Sequence, residues 1–118
     1  MATVNYQLKV DTPRVKVILW ETLTETNDVG QPFVFSGWYP DKCIQLLGSF
    51  GTGGHLTMQG SNDPALAAYA ALNDIADSPI DLTAVGFEQI LECPYAIRPK
   101  VTAGTSVDLD VWLIVRKL

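Results

Sequence analysis

Along much of this chain apolar residues recur at every second position, in short stretches that end at Gly, Pro, Asn or Asp. A period of two is that of a strand with one buried face. The clearest stretch is Val107 to Arg116, where Val107, Leu109, Val111, Leu113 and Val115 alternate with Asp108, Asp110, Trp112, Ile114 and Arg116. Val15 to Leu23 is a second strand, with Val15, Val17 and Leu19 on one side and Ile18 and Trp20 on the other. Both of its faces are apolar at the centre, as in a strand covered on both sides. Further strands are expected at 43–50, 55–60, 80–83, 89–93 and 96–102, with Phe33 to Phe35 a short strand or loop. Pro94 and Pro99 are expected at edges or bulges, because proline cannot donate to a ladder.

One segment breaks the rhythm. Asp63 is a good N-cap, Pro64 suits a first helical position, and the run Ala65 to Leu72 has high helix propensity. The pattern therefore predicts an all-β fold, an antiparallel β-sandwich or jelly roll with one short helical insertion. Residues 1–14 are expected to be an N-terminal arm or edge strand, and residues 15–118 a single sandwich domain. Val, Ile and Thr together number 28 of the 118 residues, a strand-forming composition.

Composition narrows the function. A mass of 12.9 kDa buries roughly two thirds of the chain's surface on folding, enough for one core without a disulfide or metal. The chain is 47% hydrophobic and 18% charged, which excludes a disordered tail and leaves a surface short of charge. Eight basic residues against 13 acidic give a net charge of −5 with no basic run, so nucleic acid is not an expected partner. No apolar run approaches the roughly 18 residues of a membrane span. The opening residues Met1 to Tyr6 have neither a basic nor an apolar region, so no secretory signal is expected. Cys43 and Cys93, fifty residues apart, read as two reduced thiols.

Candidate chemistry is sparse. His55, the only histidine, follows a glycine-rich loop and is expected to be exposed rather than catalytic. Asp63, Asp74, Asp77 and Asp81 do not follow a calcium-loop pattern, and Glu21 with Glu25 or Glu88 with Glu92 has nothing to fix a glycosidase spacing. Neither an enzyme nor a cofactor or metal is expected. The aromatic residues carry more. Trp20 and Trp112 lie in strands, in the core or in packing between subunits. Trp38 and Tyr39 lie in a turn, where an aromatic ring can stack on a sugar or anchor a protein interface. Arg98, on a strand flanked by prolines, is the charge expected to be buried or at an interface, with Asp108 or Asp110 as its partner.

The runs Asp41 to Gly51, Leu56 to Asp63 and Ala96 to Gly104, the last followed by an alternating strand, resemble a group of small structural proteins of tailed bacteriophages. Their pattern is G-x-F-G, then QGSND, then IRP-x-V-T-x-G. The group includes capsid decoration, or cement, proteins. Gly60-Ser61-Asn62-Asp63 also looks like discoidin-type, galactose-binding-like sandwiches, but there a glycine and an aromatic follow, and here Pro64 and alanines do.

The phage resemblance implies a non-enzymatic virion protein on the outer capsid surface, made in the host bacterial cytoplasm, with the major capsid protein as partner. It further implies a homo-oligomer, a trimer foremost, with contacts near Trp112 on an apolar face of Ile18, Trp20, Trp112 and Ile114. Residues 1–11 and the loops at one end would grip the capsid. The alternative is a carbohydrate-binding module of a phage adhesion structure. The oligomer or capsid interface residues expected are Trp20, Trp38, Tyr39, Arg98 and Trp112, and a sugar would be held by Trp38 or Tyr39.

Overall fold

A computed structural model describes residues 3–117; Met1 and Ala2 of the expected arm, and Leu118, lie outside the described residues. In chain order the strands are β1 (Thr3–Val4), β2 (Tyr6–Asp11), β3 (Val15–Leu23), β4 (Val29–Gly30), β5 (Phe33–Val34) and β6 (Asp41–Ser49). They continue with β7 (Thr52–Ser61), β8 (Ala70–Ala71), β9 (Asp81–Leu82), β10 (Gly86–Gln89), β11 (Ala96–Thr105) and β12 (Asp108–Arg116). The fold is all-β, in two open sheets. One has the order β10-β6-β12-β3-β2 and is antiparallel throughout. The other has the order β1-β4-β11-β7-β8, with β5 also on β11 and β9 also on β7; its β1–β4 pair is parallel.

The alternation decides which residues lie between the sheets. Leu109, Val111, Leu113 and Val115 of β12 are buried with Ile44 and Leu46 of β6 and Ile18 and Trp20 of β3. Leu56 and Met58 of β7 and Ile97 and Val101 of β11 complete the same cluster from the second sheet. Register corrects one expectation. Ile18 and Trp20 pair with Leu113 and Val111, so they face inward, and the outward apolar set is Val17, Leu19, Trp112 and Ile114. Thr3–Val4 and Tyr6–Asp11 are the end strands of the two sheets, as β1 and β2.

No helix forms among the described residues, so the helical insertion is overturned. The Asp63 carboxylate caps as expected, accepting from Ala65 N at 2.9 Å and Ala67 N at 3.1 Å. The turn then stops at Leu66, whose φ of 57° is left-handed. Ala70 and Ala71 pair with Gly60 and Gln59, and Leu72 N donates to Met58 O at 2.9 Å. An isolated run this short does not repay helix nucleation, and the open edge of β7 offers its backbone better partners. The strand expected at 89–93 falls earlier, at Gly86–Gln89, and residues 90–95 are irregular.

Pro99 is not at an edge or a bulge as expected. It lies inside β11, opposite Met58. On its other side the partner strand is interrupted: β5 pairs with Ala96 and Ile97, β4 pairs with Lys100, and Gln31-Pro32 separates the two. The missing N–H falls in that gap. Gly30 is required beside it, since a Cβ there would lie 2.6 Å from Pro99 Cδ.

Candidate interaction face

The five expected interface residues do not converge. Trp20 is fully buried, its indole N–H donating to Gln31 O at 2.9 Å. Tyr39 is buried against Phe35, with ring centroids 5.9 Å apart, while its neighbour Trp38 is 64% exposed at the tip of the turn. Arg98 lies on the outer face of the second sheet. Its Nε donates to Gln59 Oε1 at 3.0 Å and its guanidinium stacks 3.5 Å from the Tyr69 ring centroid. The expected carboxylate partners are on the other sheet, where Asp110 Oδ1 accepts from Thr22 N at 2.9 Å. Only Trp112 lies on a continuous apolar surface.

That surface is the outer face of β10-β6-β12-β3-β2. Ladder register sets Phe87, Gln45, Trp112 and Leu19 in one row across it, and Gln89, Cys43, Ile114, Val17 and Val10 in the next. Between the rows is a cleft of about 340 Å³ lined by Val17, Cys43, Gln45, Phe87, Trp112 and Ile114. A second hollow of about 250 Å³ adjoins it, under Ile75 and Phe87. Phe87 is 70% exposed and Ile75 65%, more than large apolar side chains usually show. Burial pushes the Cys43 thiol up from its ordinary value, and the neighbouring Asp41 carboxylate adds to the effect. At this end of the face Arg116 Nη1 donates to Asp41 Oδ2 at 3.1 Å.

A smaller apolar group lies at the loop end, where Phe35 N donates to Tyr95 O at 3.0 Å. Val34, Trp38 and Tyr95 are exposed there. Beneath it is a residue that sequence reasoning missed. Lys42 is 1% exposed and has no carboxylate partner among the described residues. Its ammonium donates to Tyr39 O at 3.0 Å and lies 3.1 Å from Cys93 Sγ. The signal was present: Lys42 has the parity of Ile44 and Leu46, which puts it on the inward side of β6.

The acidic residues serve the backbone. Glu25 accepts from Ser106 N at 2.9 Å and Val107 N at 2.8 Å, and Glu92 takes Asn73 N at 2.7 Å and Nδ2 at 2.8 Å. Asp74 Oδ1 accepts from Ala76 N and Ser78 N. His55 Nδ1 lies 2.9 Å from Asp81 Oδ1 at an exposed position. Among the described residues no three His, Cys, Asp or Glu side chains are grouped to hold a metal ion.

No family model and no curated protein matches this chain. Among solved structures it is similar to the SPBc2 prophage-derived protein YomS, with 15% identity over 92% of this chain and all of that one, at a TM-score of 0.59. At this identity the likeness is one of fold. KdgF from Halomonas sp. (10% identity, 96% and 80% of the two chains, TM-score 0.40) and a carbohydrate-binding module of Cellvibrio mixtus lichenase 5A (14%, 98% and 87%, TM-score 0.35) are more distant.

Proposed function

We propose that this chain is a non-enzymatic structural protein of a phage particle, which binds the outer surface of the capsid and stabilises the shell as a decoration or cement protein does. The observation that carries the reading is the outer face around Trp112, Ile114 and Phe87. Exposed apolar side chains grouped around a cleft on one face are what an interaction site presents, which supports the reading. We read the strand order as a jelly roll. Counting from β3, with β4 and β5 taken as one strand and β8 and β9 as another, the first, eighth, third and sixth strands share one sheet, and the second, seventh, fourth and fifth share the other. Jelly rolls are frequent in virion shells and in lectins. The likeness to a prophage-derived protein, over the whole of that protein, supports the phage setting.

The mechanism is surface burial. The loop end bearing Val34, Trp38 and Tyr95 would seat on the major capsid protein, and association through the sheet face would link one seated copy to another. Each weak contact then gains from the effective concentration that the others create. The test is co-sedimentation of the purified protein with expanded capsids that lack it, followed by heating of the loaded shells. Binding with a raised dissociation temperature is expected. No binding would end this reading and favour a carbohydrate-binding module, which Trp38 at the exposed turn would serve; Tyr39, being buried, would not.

A further inference from the structure

We infer that Cys93 is a site of covalent modification, at which its thiol exchanges with the disulfide of a small thiol, and that the buried ammonium of Lys42 activates it. The site lies apart from the apolar face and needs no capsid.

Topology brings the two residues together. Lys42 points inward from the start of β6, under the irregular segment 90–95. Ile90 N donates to Lys42 O at 3.1 Å, so the chain leaving β10 runs alongside Lys42 and carries Cys93 over the end of its side chain. Lys42 Nζ lies 3.1 Å from Cys93 Sγ. Two carbonyl oxygens fix the ammonium there, Tyr39 O at 3.0 Å and Pro40 O at 3.5 Å.

The charges favour an anion at the sulfur. Lys42 is 1% exposed, and none of the ion pairs among the described residues includes it. A buried ammonium that meets only carbonyl dipoles is costly, and a negative charge on Cys93 Sγ is the counter-charge within reach. The adjacent carboxylate does not compete for the ammonium, because Glu92 accepts from Asn73 N at 2.7 Å and Asn73 Nδ2 at 2.8 Å. The Lys117 ammonium adds a second positive charge at this end, 5.2 Å from the Tyr39 ring centroid. The nucleophile in thiol–disulfide exchange is the sulfur anion, which a neighbouring lysine favours.

Burial divides the roles. Lys42 is out of the reach of water, whereas Cys93 is exposed and can meet a reagent. Cys93 borders two hollows. The one it shares with Lys42, beside Phe35, Trp38 and Tyr39, is about 30 Å³, the scale of one water molecule. The other is a cleft of about 440 Å³ lined by Ser61, Asn62, Tyr69, Ala71 and Glu92, the volume of a small-molecule site. The attached group therefore lies in the cleft.

In the step itself, Cys93 Sγ attacks one sulfur of the small disulfide. The new Sγ–S bond forms as the S–S bond of the reagent breaks, and the electron pair leaves with its second sulfur. That sulfur takes up the proton that Cys93 gave up and departs as the free thiol. Cys93 is oxidised and the departing sulfur is reduced, with no further oxidant.

The test uses the purified chain near neutral pH with oxidised glutathione as the probe, and mass spectrometry of each cysteine peptide. Cys93 should form the mixed disulfide faster than Cys43. Lys42→Met should slow Cys93 by about tenfold or more and leave Cys43 unchanged. Methionine fills the same space without a charge, so this variant should fold and melt no lower than the wild type. The wild type supplies a second measurement that needs no variant. The ratio of alkylation by anionic iodoacetate to alkylation by neutral iodoacetamide should be higher at Cys93, beside Lys42, than at Cys43, beside the Asp41 and Glu88 carboxylates. An unchanged Cys93 rate in Lys42→Met, a fall shared equally by Cys43, or a ratio no higher at Cys93 would each overturn the inference.

Discussion

Glu25 shows how much one exposed side chain can organise in a small β fold. Its carboxylate bridges from the loop after β3 to the turn between β11 and β12, a sequence separation of more than eighty residues. Three backbone N–H groups, its own and those of Val107 and Ser106, hold the carboxyl below its ordinary 4.5. A carboxyl depressed in the folded state stabilises fully above its unfolded value, and that stabilisation disappears as the pH falls through the folded one. Glu25→Gln should therefore lower the melting temperature at neutral pH. Well below pH 4.5, where both proteins are uncharged at this position, their melting curves should converge. A difference that persisted into acid would mean that the residue acts through shape and not through charge. Nothing local in Glu25-Thr26-Asn27 discloses the partner turn, because a contact across most of the chain leaves no periodic trace. Lys42 differs: its inward parity was legible in β6, and only the expectation that lysine stays in water hid it.

At the scale of elements, the alternating strands were the legible part. Val107 to Arg116 could be read as a strand with its buried face assigned, because five apolar residues at period two admit one orientation. Val111, fully buried opposite Leu46 and Trp20, tests that face. Val111→Asp puts an unpaired charge into the core and should cost more than about 4 kcal/mol, enough to unfold the domain. Asp110→Asn, one residue away on the outer face, keeps an oxygen for Thr22 N and should stay within about 1 kcal/mol by urea titration. Equal tolerance of the two would invert the face assignment. The alanine run was misread because propensity describes an isolated helix, whereas residues 70–72 sit against an unfilled sheet edge. Pro99 was misplaced for a related reason: the gap that accommodates it belongs to another strand, where Gln31-Pro32 splits β4 from β5.

The two faces of the molecule differ in a way that only the three-dimensional register reveals. The second sheet presents Gln59, Arg98 and Thr57 outward, with the guanidinium occupied by Gln59 and Tyr69. The first presents Val17, Cys43, Trp112, Ile114 and Phe87, and so has apolar area still to cover. The sequence pointed to Trp112 and Ile114 but not to Phe87 or Val10, which lie on short or edge strands. The two cysteines separate the faces experimentally. Cys43 lies in the cleft of the first, its thiol raised chiefly by burial, whereas Cys93 is exposed near the loop end. Association of copies through the first face would cover Cys43, and Cys93 would remain open to solvent. Alkylation by a maleimide should then slow at Cys43 as protein concentration rises, while Cys93 reacts at a constant rate. In Phe87→Asp, the Cys43 rate should no longer depend on concentration. Mass spectrometry of each labelled peptide measures both rates in one sample, so unfolding, which would expose both thiols, is distinguished from dissociation, which frees only Cys43. Concentration-independent labelling of wild-type Cys43 would show that copies of this chain do not associate through this face.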